Sequence, residues 1–208
     1  MKHLSGRIIE TLVWGALLLT LCALLAVFLL FPARAKPLPV YGTVPAFALQ
    51  DQESRKITLD DLRGQVWIAD AIFTRCPGQC LIMSGHMKEI QAALPQALHV
   101  KLVSFTTDPA FDTPPVLKKY AGAFGAEDGR WIFLTGDAAA LHHTLVDGLK
   151  LSVLDKPPGQ RDSADDLFIH SEKLVLLDQS GRIRGYFDGE TLEAVSQAVA
   201  AAKMLARQ

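Results

Sequence analysis

The stretch Ile72 to Met83 reads IFTRCPGQCLIM, and its two cysteines stand where a strand is expected to end and a helix to begin. The apolar run Val66 to Phe73 leads into it and predicts a buried strand, and a helical pattern follows. Pro77 suits the first helical position, because the N–H that proline lacks would have no partner there. Cys76 would then be the N-cap. Cys80 lies about one helical turn further on, so both sulfurs can face the same side.

This placement favours reactive sulfurs. The positive end of a helix dipole beside a cysteine stabilises the thiolate relative to the thiol. Two thiolates held together can bind a soft metal or form a disulfide reversibly, and both possibilities stay open at this point. Only three cysteines occur in the chain, and Cys22 lies in an apolar N-terminal run where it reads as a small apolar residue. The chain is therefore no disulfide scaffold, and two purely structural cysteines at a helix start are the weaker alternative.

Length and charge limit the classes of protein that fit. The 208 residues suffice for one membrane anchor and one ordinary domain. The formal net charge is −1 for the whole chain and −3 once residues 1–35 are set aside. Without a basic excess, nothing in the composition favours a nucleic-acid-binding protein.

The N-terminal residues 1–35 predict a signal anchor. Thr11 to Phe31 carries no charge over 21 residues, and about 20 apolar residues span a bilayer as a helix. This exceeds the core of a cleaved signal peptide, although Ala33-Arg34-Ala35 resembles a cleavage site. We expect the N-terminus inside and the soluble domain on the extracytoplasmic, periplasmic-type side. Four prolines between residues 32 and 45 predict a semi-rigid spacer, assigned to residues 36–45.

Residues 46–208 predict one α/β domain, because strands alternate with helices and a hairpin and a closing helix follow. With paired cysteines at a strand-to-helix junction, the best match is a thioredoxin-like fold with a mixed central sheet flanked by helices, preceded by one transmembrane helix. The predicted strands are 47–50, 66–73, 100–106, 131–134, 149–154, 173–177 and 182–187, and the predicted helical segments are 57–62, 77–94, 112–124, 137–147 and 190–206.

His170 is the third candidate ligand. It follows a polar segment, 155–168, that lacks periodicity, and long structureless loops in compact domains are often functional. The remaining histidines lack a partner or read as surface residues, and Met83 and Met87 read as core. Two thiolates and one neutral imidazole suit a soft, three-coordinate cation, so copper, as Cu(I) or Cu(II), is preferred to zinc, which normally takes four ligands in structural sites.

Four groups of motifs occur in a recognisable order. They are FTRCPGQC at 73–80; FTTDPAFDTP at 105–114 with LKKY at 117–120; WIFLTG at 131–136; and HS at 170–171 with LLD at 176–178 and GRIRGYFDG at 181–189. Together they resemble the Sco/SenC family, the membrane-anchored, thioredoxin-like copper proteins involved in cytochrome c oxidase assembly. The resemblance covers roughly Val44 to Gln208.

The resemblance implies that Cys76, Cys80 and His170 are copper ligands and that the partner is an apo copper-site protein such as a cytochrome c oxidase subunit. Gly78 stands where many members have an acidic residue, and Leu81 where they have proline; neither departure removes a ligand.

Two functions follow. The first is a copper metallochaperone that delivers copper to a cytochrome c oxidase-type site from the CxxxC motif and His170. The alternative is a membrane-tethered thiol–disulfide oxidoreductase that keeps a target's cysteines reduced, with Cys76 attacking and Cys80 resolving. A peroxidase would rest only on Arg75 beside Cys76, and a purely structural membrane protein would leave the cysteine–histidine set unexplained.

Overall fold

The computed structural model describes residues 2–30, 37–76, 78–155, 157, 159 and 168–208, with the backbone alone for 2–5, 27–30, 155 and 168–170. The chain divides into two compact units, Met1–Pro37 and Leu38–Gln208. The first consists of helix α1 (Lys2–Leu30). Within it, Gly6–Ala26 is long and apolar enough, by length and composition, to cross a membrane. The predicted span overlaps this segment, and its last residue, Phe31, lies outside the described part.

The second unit holds ten strands and five α-helices among its described residues. The strands are β1 (Gly42–Thr43), β2 (Ala48–Gln50), β3 (Lys56–Thr58), β4 (Trp67–Ile72), β5 (Lys101–Thr106), β6 (Trp131–Leu134), β7 (Val153–Asp155), β8 (Phe168–His170), β9 (Lys173–Leu177) and β10 (Arg182–Asp188). The helices are α2 (Leu59–Leu62), α3 (Gln79–Ala93), α4 (Pro114–Phe124), α5 (Ala138–His142) and α6 (Leu192–Leu205).

Six strands form the central sheet in the order β1-β10-β9-β4-β5-β6. Strands β4, β5 and β6 run parallel, whereas β9 is antiparallel to β4 and β10 to β9. All six residues of β4 are buried, because helices cover both faces of the sheet. Side chains of α3, α4 and α6 pack on the face of Ile68 and Ile72, and those of α2 and α5 pack on the face of Trp67. The predicted mixed sheet flanked by helices is confirmed.

Three local features differ from the predictions. Residues 56–58 form strand β3, which pairs with β2, where only a turn and a helical piece were predicted. The helix predicted to Asp147 is α-helical only to His142 and continues as a π-helix over His143–Gly148. The strand predicted over 149–154 begins only at Val153, as β7, and pairs with β8. This pairing joins two segments of weak periodicity, so neither segment alone could have predicted it. Most of the predicted loop 155–168 lies outside the described residues.

The β9–β10 hairpin is confirmed, and a buried carboxylate holds its turn. Asp178, 2% exposed, accepts hydrogen bonds from the backbone N–H groups of Ser180 and Arg182 and from the side chains of Arg182 and Arg184. Burial alone would raise the pKa of Asp178, but these hydrogen bonds outweigh it and hold the pKa below its ordinary value. Arg184 also donates to the carbonyl oxygens of Leu38 and Pro39.

The domain limits 1–35, 36–45 and 46–208 stay a prediction.

We expect Asp178→Ala to lower the free energy of unfolding by about 3 kcal/mol at pH 7, because Arg184, only 8% exposed, would keep its charge without the carboxylate. Asp178 has a lowered pKa in the folded chain, so its stabilisation is complete above about pH 4, the ordinary value for aspartate, and is lost as the pH falls through the lower folded-state pKa. Urea unfolding at several pH values measures this.

Asp147→Ala serves as the control, since that carboxylate is 62% exposed and contacts only an exposed histidine in the described part of the chain. A variant at Asp178 as stable as wild type at pH 7, or a difference that grows as the pH falls, would contradict the expectation.

Candidate metal centre

The cysteine loop, residues 73–78, joins the carboxyl end of β4 to the start of α3. Its turn is closed by a hydrogen bond of 3.2 Å from the N–H of Cys76 to the carbonyl oxygen of Phe73. Helix α3 begins at Gln79 with Gly78 as its N-cap. The prediction that Cys76 is the N-cap is therefore wrong, because Cys76 lies two residues before the N-cap, Gly78. Pro77 lies outside the described residues.

The two cysteines differ in exposure, and the surroundings of Cys80 shift its pKa. Both are thiols; Cys76 is half-buried and Cys80 is fully buried in the first turn of α3. A hydrogen bond to Cys76 raises the pKa of the Cys80 thiol, burial raises it further, and the charges of Cys76 and Asp70 act in the same direction. The helix start was expected to favour both thiolates, but for Cys80 burial and its neighbour outweigh that effect. The Cys80 thiol therefore keeps its proton.

Two polar side chains, buried Ser84 and partly buried Tyr120, lie beside Cys80. The hydroxyl of Tyr120 lies 2.9 Å from the Ser84 hydroxyl and donates a 3.4 Å hydrogen bond to the carbonyl oxygen of Cys80. Burial raises the pKa of Tyr120, so the phenol keeps its proton. Tyr120 from α4 thereby ties the first turn of α3 to the neighbouring helix.

The backbone of His170 is described, and its side chain is not. Val153 of β7 pairs with His170, and the N–H of Ser171 donates to the carbonyl oxygen of Ser152. Because β9 is antiparallel to β4, with Val175 opposite Ala69, β9 starts beside the carboxyl end of β4. The cysteine loop leaves the sheet at that same end, so the chain around His170 lies at the edge that carries the cysteines.

Gly189 links this edge to α3. Its N–H donates a 2.7 Å hydrogen bond to the carbonyl oxygen of Glu172, two residues after His170, and its carbonyl oxygen lies 2.6 Å from Nδ1 of His86. A Cβ at this position would lie 2.7 Å from the Glu172 oxygen and 3.1 Å from Cε of Met83. The absence of a side chain at residue 189 thus permits the close approach. His86, for which the sequence suggested no partner, has one here.

Within the described residues, no group of three histidine, cysteine, aspartate or glutamate side chains is arranged to hold a metal ion. The described residues include Cys76 and Cys80 but not the side chain of His170, so the three-ligand set stays a prediction. Two sulfurs in contact, one buried and one half-exposed, still fit a soft metal better than a hard one. The donor set at this edge is compatible with copper.

The sequence reasoning missed three residues that hold the cysteine loop. Asp112, fully buried, was interpreted as the start of a helix, but Thr113 is the N-cap of α4 and the Asp112 carboxylate accepts hydrogen bonds from Thr74 and Thr106. Asp108 and Arg75 form an ion pair of 2.6 Å that the sequence did not indicate. No local pattern in the sequence connects the acidic residues after β5 with the cysteine loop.

The other sequence candidates have ordinary roles. Met83 and Met87 are fully buried, as predicted for core residues. His142 and His143 are exposed, and Nδ1 of His143 lies 2.9 Å from a carboxylate oxygen of Asp147. At the two departures from the family pattern, Gly78 is exposed and Leu81 is 46% exposed.

The chain is similar in sequence to SCO1-type proteins. The family model for SCO1/SenC matches residues 37–206. The SCO1 protein homolog of Bacillus subtilis is 31% identical over 153 residues, which cover 73% of this chain and 76% of that protein.

Two solved structures have a similar fold. BsSco, a member of the Sco family of cytochrome c oxidase assembly proteins in which a disulfide switch was identified, matches with a TM-score of 0.66 at 27% identity, covering 81% of this chain and 99% of that one. Copper-bound ScoI of Bradyrhizobium japonicum matches with a TM-score of 0.66 at 24% identity, covering 78% and 99%. The predicted thioredoxin-like fold is confirmed, and the chain belongs to the SCO1/SenC family.

Proposed function

We propose that this chain is a membrane-tethered copper chaperone that binds copper through Cys76, Cys80 and His170. The observation that carries the proposal is the pair of contacting thiols at the carboxyl end of β4, with the backbone of His170 at the same edge of the sheet. Family membership supports it, because a relative of the same fold, ScoI, has been solved with copper bound.

The two sulfurs suit a protein that must both hold and release its cargo. Thiolates select Cu(I), and imidazole is a good ligand for copper. Two thiolates bring the net charge of the site to −1 with Cu(I) and to zero with Cu(II), so each oxidation state is tolerable. Cys80 is fully buried, whereas Cys76 can be reached from outside. A recipient's ligand would therefore displace Cys76 first, and Cys80 would be the last protein sulfur to release copper.

The proposed recipient is an apo copper-site protein of the cytochrome c oxidase type. BsSco is described as a member of a family of cytochrome c oxidase assembly proteins, which supports this choice. Helix α1 would tether the chain to the membrane, with the domain on the extracytoplasmic side. A tether restricts the search for a membrane-bound recipient and raises its effective concentration.

Copper binding tests the ligand set. We expect the reduced chain from Lys36 to Gln208 to bind one copper, and His170→Ala to lose that copper or to shift the sulfur-to-Cu(II) charge-transfer band. Metal analysis and absorption spectroscopy measure the two effects. His143→Ala is the matched control, since that histidine is exposed and its described contact is with Asp147.

If wild type takes up no stoichiometric copper, the chaperone proposal fails. If His170→Ala and His143→Ala both bind each oxidation state as wild type does, His170 is not a ligand.

The asymmetry of the cysteines favours a second candidate function, a thiol–disulfide oxidoreductase. The half-exposed Cys76 would attack a target's disulfide, and the buried, protonated Cys80 would then resolve the mixed disulfide. In this function His170 is dispensable. The disulfide switch identified in BsSco supports keeping this candidate beside the first.

The burial and the raised pKa of Cys80 predict the order of alkylation. We expect iodoacetamide to label Cys76 at least about tenfold faster than Cys80, because each unit by which a pKa is raised lowers the thiolate fraction about tenfold and because Cys80 is buried. The rate at which Cys80 is alkylated should stay low as the pH rises through 9.0, the ordinary pKa of a cysteine thiol. Mass spectrometry of briefly labelled peptides, from the Lys36–Gln208 chain that lacks Cys22, measures both rates. Equal labelling at pH 8 would contradict the assignment.

Trapping tests the exchange reaction itself. We expect Cys80→Ser to accumulate a mixed disulfide with a dithiol-containing partner peptide supplied in its oxidised form, because Cys76 can attack but no second sulfur can complete the exchange. Non-reducing electrophoresis detects the adduct, and Cys76→Ser is the control expected to give none. No adduct with Cys80→Ser, or equal adduct with both variants, would count against the oxidoreductase.

A further inference from the structure

The cysteine loop is held from a second segment, the β5–α4 loop of residues 107–113. Residues 74 and 75 of the cysteine loop, immediately before Cys76, each contact a carboxylate of that segment. The contact depends on the parallel pairing of β4 with β5, which ends at Ile72 opposite Thr106 and is extended by a 2.8 Å hydrogen bond from the N–H of Thr107 to the carbonyl oxygen of Ile72.

Asp112 makes the more buried of the two contacts. Its Oδ2 accepts hydrogen bonds from the backbone N–H of Thr74 at 3.1 Å and from the hydroxyl of Thr106 at 2.5 Å, and its Oδ1 accepts from the Thr74 hydroxyl at 2.5 Å. The side chain is completely buried. Two of these hydrogen bonds go to Thr74, so the carboxylate fixes both the backbone and the side chain of a residue two positions before Cys76.

Asp108 holds the next residue. Its carboxylate lies 2.6 Å from Nη2 of Arg75, and the Arg75 guanidinium lies 4.3 Å from the centre of the Phe111 ring. The backbone N–H of Asp108 donates to the hydroxyl of Thr106, which itself donates to Asp112. One hydrogen-bonded network therefore joins both carboxylates to the chain that leads to Cys76.

We infer that Asp112 is a positioning residue of the cysteine site: through Thr74 it fixes the turn that places the Cys76 sulfur beside Cys80. A loop without this contact would have to be ordered each time the two sulfurs come together, and that entropic cost would lower their effective concentration towards each other. The inference rests on the proposed function only in taking Cys76 and Cys80 as the working sulfurs.

The disulfide equilibrium with dithiothreitol measures this effective concentration without copper. Oxidised dithiothreitol takes two electrons and two protons from Cys76 and Cys80, giving the protein disulfide and reduced dithiothreitol. The full-length chain in detergent, with Cys22→Ser in every variant, is equilibrated over a range of dithiothreitol ratios and the remaining thiols are counted by mass after alkylation. We expect Asp112→Ala to lower the equilibrium constant for disulfide formation about fivefold or more, since a single hydrogen bond is worth about that factor.

Asp178→Ala is the matched control. Asp178 is also a buried carboxylate with several hydrogen bonds, but it lies in the β9–β10 turn, beyond Leu177, which pairs with Trp67 at the opposite end of β4. We expect this substitution to lower stability and to leave the disulfide equilibrium within about twofold of wild type, since Asp178 makes no contact with the described residues of the cysteine loop. Asp112→Asn keeps an acceptor for the Thr74 N–H and should also stay within about twofold.

Thr74→Val keeps the inference testable if Asp112→Ala does not fold. It removes one of the two hydrogen bonds between Thr74 and Asp112 at nearly constant volume, and we expect a decrease of about threefold. An Asp112→Ala or Thr74→Val equilibrium constant equal to or above that of wild type, or an equal decrease in Asp178→Ala, overturns the inference. The disulfide equilibrium does not depend on copper binding. The inference about Asp112 and the chaperone proposal can therefore fail independently of each other.

Discussion

The parallel register of β4 and β5 is the constraint on which the site depends. Six consecutive residue pairs, from Trp67 opposite Lys101 to Ile72 opposite Thr106, bring the carboxyl ends of the two strands to one edge of the sheet. The cysteine loop follows β4, and the β5–α4 loop, which carries Asp108 and Asp112, follows β5. A slip of one residue would turn the side chains of a strand to the opposite face and separate Thr74 from Asp112. The geometry of the sulfurs is therefore set by the sheet as much as by their own loop.

The sequence predicted the parts of the fold that depend on local pattern. Apart from Asp70, β4 is apolar because both of its faces are buried, and α4 ends at Phe124, as predicted, with Gly125 at φ of 69° after it. The contact between Asp112 and Thr74 joins residues 38 positions apart, and nothing in either segment specifies the partner. The same limit applies to β7 and β8, whose pairing spans a segment without periodicity.

The cysteines show how competing electrostatic effects are decided by burial. Placement near a helix start predicts that both thiols are acidic, and the effect of a helix dipole at a surface site is about 0.3–1 kcal/mol. Cys80 is fully enclosed and faces a second sulfur and a buried carboxylate, Asp70, so its pKa rises instead. The CxxxC spacing identified the pair, but only the fold could show that its two members are chemically unequal.

The pairing of one accessible and one enclosed sulfur also bears on oxidative damage. A peroxide that reaches this domain meets Cys76 first, and its first product is a sulfenic acid. The Cys80 thiol already lies in hydrogen-bond contact with that sulfur, so it can condense with the sulfenic acid and release water before a second oxidant arrives. Oxidation then stops at a disulfide, which a reductant can reverse. It does not advance to the sulfinic and sulfonic acids, which would inactivate Cys76 irreversibly.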